Sequence, residues 1–284
     1  MSCNVKRFNH HLHPDLAVSV FAAWSAGNVV RARFDEVYEV EEKGRGDFVT
    51  RADKEANVVI CDALRKCRPD YGICSEEGPA DGIAVDGKLF IVDSLDGTNA
   101  FVHRIDRRMP AVLIALEVDG QVVASVVHFP LTDETFYAVE GKGAFRGDGT
   151  PVTTAWAGEI EFRRSWVEMN HHIDWSLDTR PFKRLWLRLR SQHGVALVTQ
   201  GPPYSGVSVR MAEGDQRVIA AIHDNNSAAP AKQALWDVAA PALILREAGG
   251  VVLNMRGEPY NPRQHEPFIC AANRGIADQI LALL

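Results

Sequence analysis

The segment LFIVDSLDGTN, residues 89–99, carries the residue types and spacing most suited to chemistry. A short apolar run ends at Asp93, and Asp96 follows three residues later with Gly97 beside it. Carboxylates at the end of a buried strand are costly unless a cation meets them, and hard oxygen ligands suit Mg²⁺. A helix that begins after Gly97 would also present free N–H groups to a phosphate. The alternative is an ordinary Asp-Gly turn in which Asp96 or Thr98 caps a helix.

Three further acidic segments place carboxylates at the ends of predicted elements. The motif SEEG puts Glu76 and Glu77 after a second short apolar run. Asp53 stands at the start of a predicted helix, and Asp237 follows Trp236 at the opening of another. Each also has a purely structural interpretation: a solvated glutamate, a helix N-cap, or a first-turn residue favoured by the helix dipole. Taken singly, these segments do not distinguish a metal site from ordinary structure.

The apolar periodicity predicts an α/β protein. Long helices are expected over 14–34 and 54–67, separated by a charged, glycine-broken loop over 39–47. Residues 111–146 are typical of an antiparallel meander, with a hairpin turn at Asp119-Gly120.

The character of the chain changes after Pro151, where strands and helices alternate. We therefore expect residues 1–150 to form an α+β half with an antiparallel sheet and most of the metal ligands. Residues 151–284 should form a half with a mixed β/α sheet that carries Asp237. The polar, small-residue segment 223–232 is expected to be a surface insertion.

The composition excludes several classes of protein. The 284 residues are 46% hydrophobic and 24% charged, which is typical of a folded soluble chain. A formal net charge of −6 argues against a nucleic-acid polymer as partner, and no apolar run is long enough to span a membrane. The odd count of five cysteines, with no Cys-x-x-Cys pair, and the lack of a secretory signal favour the reducing cytoplasm.

Taken together, the motifs resemble the inositol monophosphatase family of metal-dependent, lithium-sensitive phosphatases. This resemblance implies a layered αβαβα sugar-phosphatase fold and a homodimer. The motifs that carry it are D-F-V-T-R-A-D (47–53), S-E-E-G (75–78), V-D-S-L-D-G-T-N-A-F-V-H-R (92–104), F-R-G-D-G-T-P-V (145–152) and L-W-D-V-A-A…E-A-G-G (235–250).

The resemblance also implies a role for each matched residue. A first Mg²⁺ would be held by Glu76, Asp93 and the backbone carbonyl of Leu95. A second would be held by Asp93, Asp96 and Asp237, and Glu76 with bound waters would support a third. Asp53, Thr98 and Glu76 would be catalytic. The Thr98 hydroxyl would take the proton of the attacking water, and Asp53 would orient that hydroxyl. The phosphate would be bound by Gly97, Thr98 and Asn99.

The physical chemistry of phosphate esters agrees with these roles. A phosphate monoester is an anion that repels hydroxide, so its hydrolysis needs positive charge on the phosphoryl oxygens, and metal ions supply it. We therefore expect Mg²⁺-dependent hydrolysis of a small monoester by an activated water. A different class remains open, namely a catalytically silent metal- or phosphate-binding regulator.

The substrate side departs most from the family pattern. Ser94 replaces a proline of the central motif, and Arg217 stands where an aspartate is usual. Inositol or another polyol phosphate would suit the polar side chains of Asp224, Asn225 and Asn226. A nucleotide such as 3′-phosphoadenosine 5′-phosphate would instead need an aromatic or apolar slot and a cation for its second phosphate, for which Tyr204, Arg217 and Lys232 are available. Fructose 1,6-bisphosphate is a further alternative that the family implies. A charged, flexible loop is the commoner explanation for all of these residues.

Overall fold

A computed structural model describes the chain over residues 13–36, 40–44, 47–78, 82–154, 162–171, 180–195, 197–199, 204–215, 218–224, 233–264 and 266–284. No helix within these ranges is long and apolar enough to cross a membrane. The described helices are α1 Leu16–Phe34, α2 Arg51–Cys67, α3 Thr98–His103, α4 Arg180–Leu187, α5 Tyr204–Ala212, α6 Gln233–Glu247 and α7 Arg274–Leu281.

A seven-stranded sheet dominates the first half, and its strands pair in chain order. The edge pair β3–β4 is parallel, and all the other pairs are antiparallel. A separate antiparallel hairpin, β1 Val40–Gly44 with β2 Asp47–Thr50, precedes the sheet. The sheet strands are β3 Gly72–Ser75, β4 Lys88–Asp96, β5 Ala111–Val118, β6 Gln121–Phe129, β7 Glu134–Val139, β8 Gly143–Arg146 and β9 Pro151–Val152.

A mixed five-stranded sheet forms the second half. Its spatial order is β11-β10-β12-β14-β13, with parallel pairing around β10 and antiparallel pairing around β14. These strands are β10 Trp166–His171, β11 Leu197–Thr199, β12 Val218–Asp224, β13 Val251–Asn254 and β14 Phe268–Ala271.

Three buried clusters arrange these elements in layers. The first lies between α1, α2 and one face of the seven-stranded sheet. The second joins the other face of that sheet to the five-stranded sheet through α5 and α6. The third packs α4 and α7 on the outer face of the five-stranded sheet. The predicted αβαβα layering, with an antiparallel first sheet and a mixed second sheet, is confirmed. The division at 150/151 stays a proposal, and helix α6 of the second half packs against strands of both sheets.

Two sequence predictions of local structure were wrong. The predicted loop over 39–47 contains most of the β1–β2 hairpin, because the charged runs 40–44 and 47–50 pair as antiparallel strands. The second helix begins at Arg51, not at residue 54, since Thr50 caps it and its first turn is polar. A polar first turn shows no apolar periodicity, so the start of such a helix is indicated by its capping residues instead.

Helix α1 packs against the sheet through a buried histidine. Nδ1 of His128 lies 2.9 Å from the Thr135 hydroxyl and 3.1 Å from the Glu134 carbonyl oxygen. Nε2 has no partner among the described residues, and a Cβ on Gly27 of α1 would lie 2.4 Å from it. Burial lowers the pKa of His128 from 6.5 to about 4, because protonation would place an unpaired charge in the core.

The free energy of unfolding should therefore fall in acid. The unfolded chain takes up the His128 proton near pH 6.5 and the folded chain only near pH 4, so this contribution is lost as the pH falls through that window. By linkage it amounts to about 3 kcal/mol. Urea unfolding of wild type and His128→Asn at pH 7.5 and pH 4 should show a larger drop for wild type. Equal drops would contradict this account of His128.

Candidate metal centre and active site

Both aspartates of the central motif lie at the end of β4. Asp93 and Asp96 are three residues apart and would face opposite sides of a regular strand. A register shift in the β4–β5 pairing falls between them and breaks that alternation. Both side chains are buried, and Gly97, with φ of 82°, then turns the chain into α3. The bulge therefore allows one short segment to contribute two carboxylates to one site.

Neighbouring elements bring Glu76 and Asp237 to Asp93. Strands β3 and β4 are parallel with Ser75 opposite Val92, and the Glu76 amide donates to the Val92 carbonyl at 3.1 Å. Helix α6 packs against β4 and supplies Asp237. One carboxylate oxygen from each of the three acids lies within 4.8 Å of the others. Three residues widely separated in sequence thus form one acidic cluster, which we call the carboxylate cluster (Glu76, Asp93 and Asp237).

The electrostatics of this cluster favour a bound cation. Burial raises the pKa of Asp93 well above its ordinary value, and the charges of Glu76, Asp96 and Asp237 raise it further. Anions held this close in a buried site are unfavourable unless a cation compensates them. An all-carboxylate donor set suits a hard divalent ion such as Mg²⁺. The residues present therefore fit the metal that the sequence predicts.

Asp96 lies beside the carboxylate cluster but outside the group of three. Its side chain accepts a hydrogen bond from the Ser205 hydroxyl. Burial raises the pKa of Asp96 to about 7, and the charge of Glu76 contributes in the same direction. The position of Asp96 is compatible with the metal-ligand role implied by the resemblance, and that role stays a prediction.

The predicted pair Asp53 and Thr98 is in direct contact. The Thr98 hydroxyl lies 2.7 Å from Oδ1 of Asp53 and 3.1 Å from the Leu95 carbonyl oxygen. Oδ2 of Asp53 accepts from the Thr50 amide at 2.8 Å and from the Thr50 hydroxyl at 2.5 Å. Asp53 is therefore not the N-cap of α2 but closes the capping box of Thr50. Burial raises the pKa of Asp53, and the nearby charge of Glu77 adds to this effect.

Ser94 and Ser205 connect separate elements of the site, a role that the sequence predicts for neither residue. The buried Ser94 hydroxyl donates to the backbone carbonyl of Asp53 at 3.0 Å. It thus connects the central motif to the start of α2, a contact that the proline usual in this motif would not make. In the sequence, Ser94 stood out because it replaces the proline that is usual in the central motif. Ser205 had no comparable signal, because its partner Asp96 lies 109 positions away.

The remaining predicted positions lie at the edge of the site or outside the described residues. Gly97 is half-buried and Asn99 is exposed at the start of α3. His103 is exposed at the end of α3, and Trp236 is buried next to Asp237. Asp224 ends β12. The substrate residues Arg217, Asn225, Asn226 and Lys232 fall outside the described residues.

The suggestion that Tyr204 offers an aromatic surface to a nucleotide was wrong. Tyr204 is only 3% exposed and packs edge-on against Phe268. Its hydroxyl accepts a hydrogen bond from the Cys270 thiol, with 2.9 Å between sulfur and oxygen. The ring belongs to the core between the two sheets. The sequence alone does not distinguish an aromatic residue of the core from one that lines a pocket.

The layered αβαβα architecture, with a carboxylate cluster at a strand end, is that of the sugar-phosphatase fold class. The sequence model of the inositol monophosphatase family matches residues 11–284. The chain therefore belongs to the inositol monophosphatase family, a family of phosphoric monoester hydrolases.

Individual relatives agree with this assignment. An inositol-1-monophosphatase of Mesorhizobium japonicum is 35% identical over 253 residues, covering 85% of this chain and 86% of the relative. The Nus factor SuhB of Salmonella typhimurium is 38% identical over 136 residues, covering 47% of this chain and 50% of SuhB. The crystal structure of the extragenic suppressor protein SuhB from Bartonella henselae superposes with a TM-score of 0.79. It is 28% identical and covers 95% of this chain and 98% of its own.

Proposed function

We propose that this chain is a Mg²⁺-dependent phosphatase that hydrolyses inositol phosphate or a related sugar or polyol monophosphate. The observation that carries the proposal is the carboxylate cluster next to the Asp53–Thr98 pair. Glu76, Asp93 and the Leu95 carbonyl would hold one ion, Asp93, Asp96 and Asp237 a second, and Glu76 with waters a third. Bound Mg²⁺ would supply positive charge for the phosphoryl oxygens and lower the pKa of a coordinated water.

The protein's own part in the reaction begins with the Thr98 hydroxyl. We assign its oxygen as the acceptor of the attacking water's proton while its own proton passes to Oδ1 of Asp53. The 2.7 Å contact supports this relay, and the raised pKa of Asp53 makes that carboxylate a better proton acceptor. The backbone amides of Thr98 and Asn99 at the start of α3 would bind the phosphate. The Gly97 amide, also predicted for this role, already hydrogen-bonds the Asp96 carboxylate.

The test of the substrate is a panel of phosphate-release rates with Mg²⁺. The panel contains inositol 1-phosphate, a sugar-alcohol phosphate, histidinol phosphate, fructose 1,6-bisphosphate and 3′-phosphoadenosine 5′-phosphate. We expect the highest kcat/KM for inositol 1-phosphate or the sugar-alcohol phosphate. A kcat/KM at least ~100-fold higher for the nucleotide, about 2.7 kcal/mol of transition-state preference, would overturn the polyol assignment.

Lithium sensitivity is a further expected outcome. Li⁺ is small enough to take one metal position but carries half the charge of Mg²⁺, so it would not stabilise the transition state. Phosphate release at saturating substrate should fall as LiCl is added, whereas the same concentrations of NaCl should have little effect. Equal responses to LiCl and NaCl would contradict this mode of inhibition.

We also propose that the chain acts as a homodimer in the cytoplasm. The described cysteines Cys61, Cys67, Cys74 and Cys270 are all free thiols, which supports a reducing compartment.

A second candidate function is a regulator that binds metal or phosphate without turnover. The similarity to the Nus factor SuhB over 136 residues favours it. The contact between Asp53 and Thr98 speaks against it, because binding alone does not require a water-activating pair. Metal binding without phosphate release from any monoester of the panel would favour the regulator.

A further inference from the structure

Helix α5 approaches the carboxylate cluster with a serine that the proposed mechanism does not use. Ser205 is the second residue of α5 and is fully buried. Its hydroxyl donates to Oδ2 of Asp96. The backbone amides of Ser205 and Gly97 also hydrogen-bond the Asp96 carboxylate. The first N–H groups of a helix have no partner within the helix, so Asp96 also supplies an acceptor to the start of α5.

The far end of α5 is fixed to the first half of the chain as well. Glu213, directly after the helix, pairs with Arg108 and with Arg146 of β8. In the last turn of α5, Arg210 lies 3.4 Å from Asp106. Both ends of the helix are thus tied to the first half of the chain, which also contains Asp93 and Asp96. The Ser205 hydroxyl is therefore presented to Asp96 by a helix with little freedom to shift.

We propose that Ser205 is a positioning residue for the metal centre: its hydroxyl fixes the orientation of the Asp96 carboxylate and so raises the affinity of the divalent cation held with Asp93 and Asp237. This inference rests on the proposed function. A carboxylate ligand rotates unless its remaining lone pairs are engaged, and hydrogen bonds from outside the ligand shell supply that constraint. Removing such a partner typically weakens metal affinity by about 10- to 100-fold.

The test is calorimetric titration of the purified full chain with MgCl₂ in the absence of substrate. Ser205→Ala should weaken cation binding by about 10- to 100-fold. Ser208→Ala is the matched control, because Ser208 is equally buried and lies three residues further along α5. Its Mg²⁺ affinity should equal that of wild type. Ser205→Cys replaces the hydroxyl by a weakly donating thiol of similar size, and it tests the same contact if the alanine variant folds poorly.

A thermodynamic cycle separates positioning from general packing. If Ser205 acts through Asp96, then Ser205→Ala should have no further effect on Mg²⁺ affinity in an Asp96→Asn background. Additive losses, an unchanged affinity of Ser205→Ala, or an equal loss in Ser208→Ala would each overturn the inference. Wild-type protein that binds Mg²⁺ but releases no phosphate contradicts the proposed function and leaves the role of Ser205 intact. Wild-type protein that binds no Mg²⁺ overturns both.

Discussion

Replacement of Asp93 by Asn is expected to lower kcat/KM by at least about 10³-fold, because metal-ion stabilisation of transition-state charge is worth several kcal/mol. Asp93 is shared by the first and second of the three proposed metal sites, and its carboxylate lies in the cluster with Glu76 and Asp237. The neutral amide keeps the size of the side chain while it removes the charge. Steady-state phosphate release at saturating Mg²⁺ measures the effect.

The same substitution should have the opposite effect on the stability of the metal-free protein. The raised pKa of Asp93 means that its ionised form is disfavoured in the folded state at neutral pH. Asp93→Asn removes this charge, so in EDTA we expect the variant to melt at a higher temperature than wild type. Asp119→Asn, in the exposed β5–β6 turn, is the matched control and should change neither property. Full activity of Asp93→Asn would contradict the assignment.

The second large effect is expected at Thr98. Thr98→Ala removes the hydroxyl that contacts Asp53 at 2.7 Å, and kcat should fall by about 10²- to 10⁴-fold, the usual range for a lost proton-transfer group. Mg²⁺ affinity should change little, because the carboxylate cluster is untouched. Asp53→Asn would test the relay less directly, because Asp53 also closes the capping box of α2 and its loss would affect the helix as well.

Thr98→Ser is the matched control for this prediction. Serine keeps the hydroxyl and loses only a methyl group, so most of kcat should remain. If Thr98→Ala turns over at the wild-type rate, the proton relay is wrong. This result would not bear on the proposed metal ligands. If Thr98→Ser is as slow as Thr98→Ala, the methyl group rather than the hydroxyl is responsible, and the relay is again contradicted.

The fold could be predicted largely because its signals are local. Two apolar runs joined by the Asp119-Gly120 turn predicted the β5–β6 hairpin, which the structure contains. The β1–β2 hairpin was missed, because charged residues dominate it and apolar periodicity does not register such strands. The β4 bulge between Asp93 and Asp96 depends on pairing with β5, so no local sequence pattern predicts it.

The site was predicted from motifs, and its supporting contacts were not. Glu76, Asp93 and Asp237 each lie in a recognisable sequence motif, and the structure brings their carboxylates together. Ser205 contacts Asp96 only because α5 packs across the two halves of the chain, and a lone serine in an apolar stretch carries no signal. Tyr204 illustrates the converse error, because an aromatic residue near an expected pocket proved to be core.

The central claim is that Mg²⁺ bound at the carboxylate cluster is required for phosphoester hydrolysis. The most direct measurement is the rate of phosphate release from inositol 1-phosphate by EDTA-treated protein as MgCl₂ is added back. The account predicts no turnover above background in EDTA and a saturable return of activity with Mg²⁺. A rate in EDTA equal to the rate in saturating Mg²⁺ would contradict it.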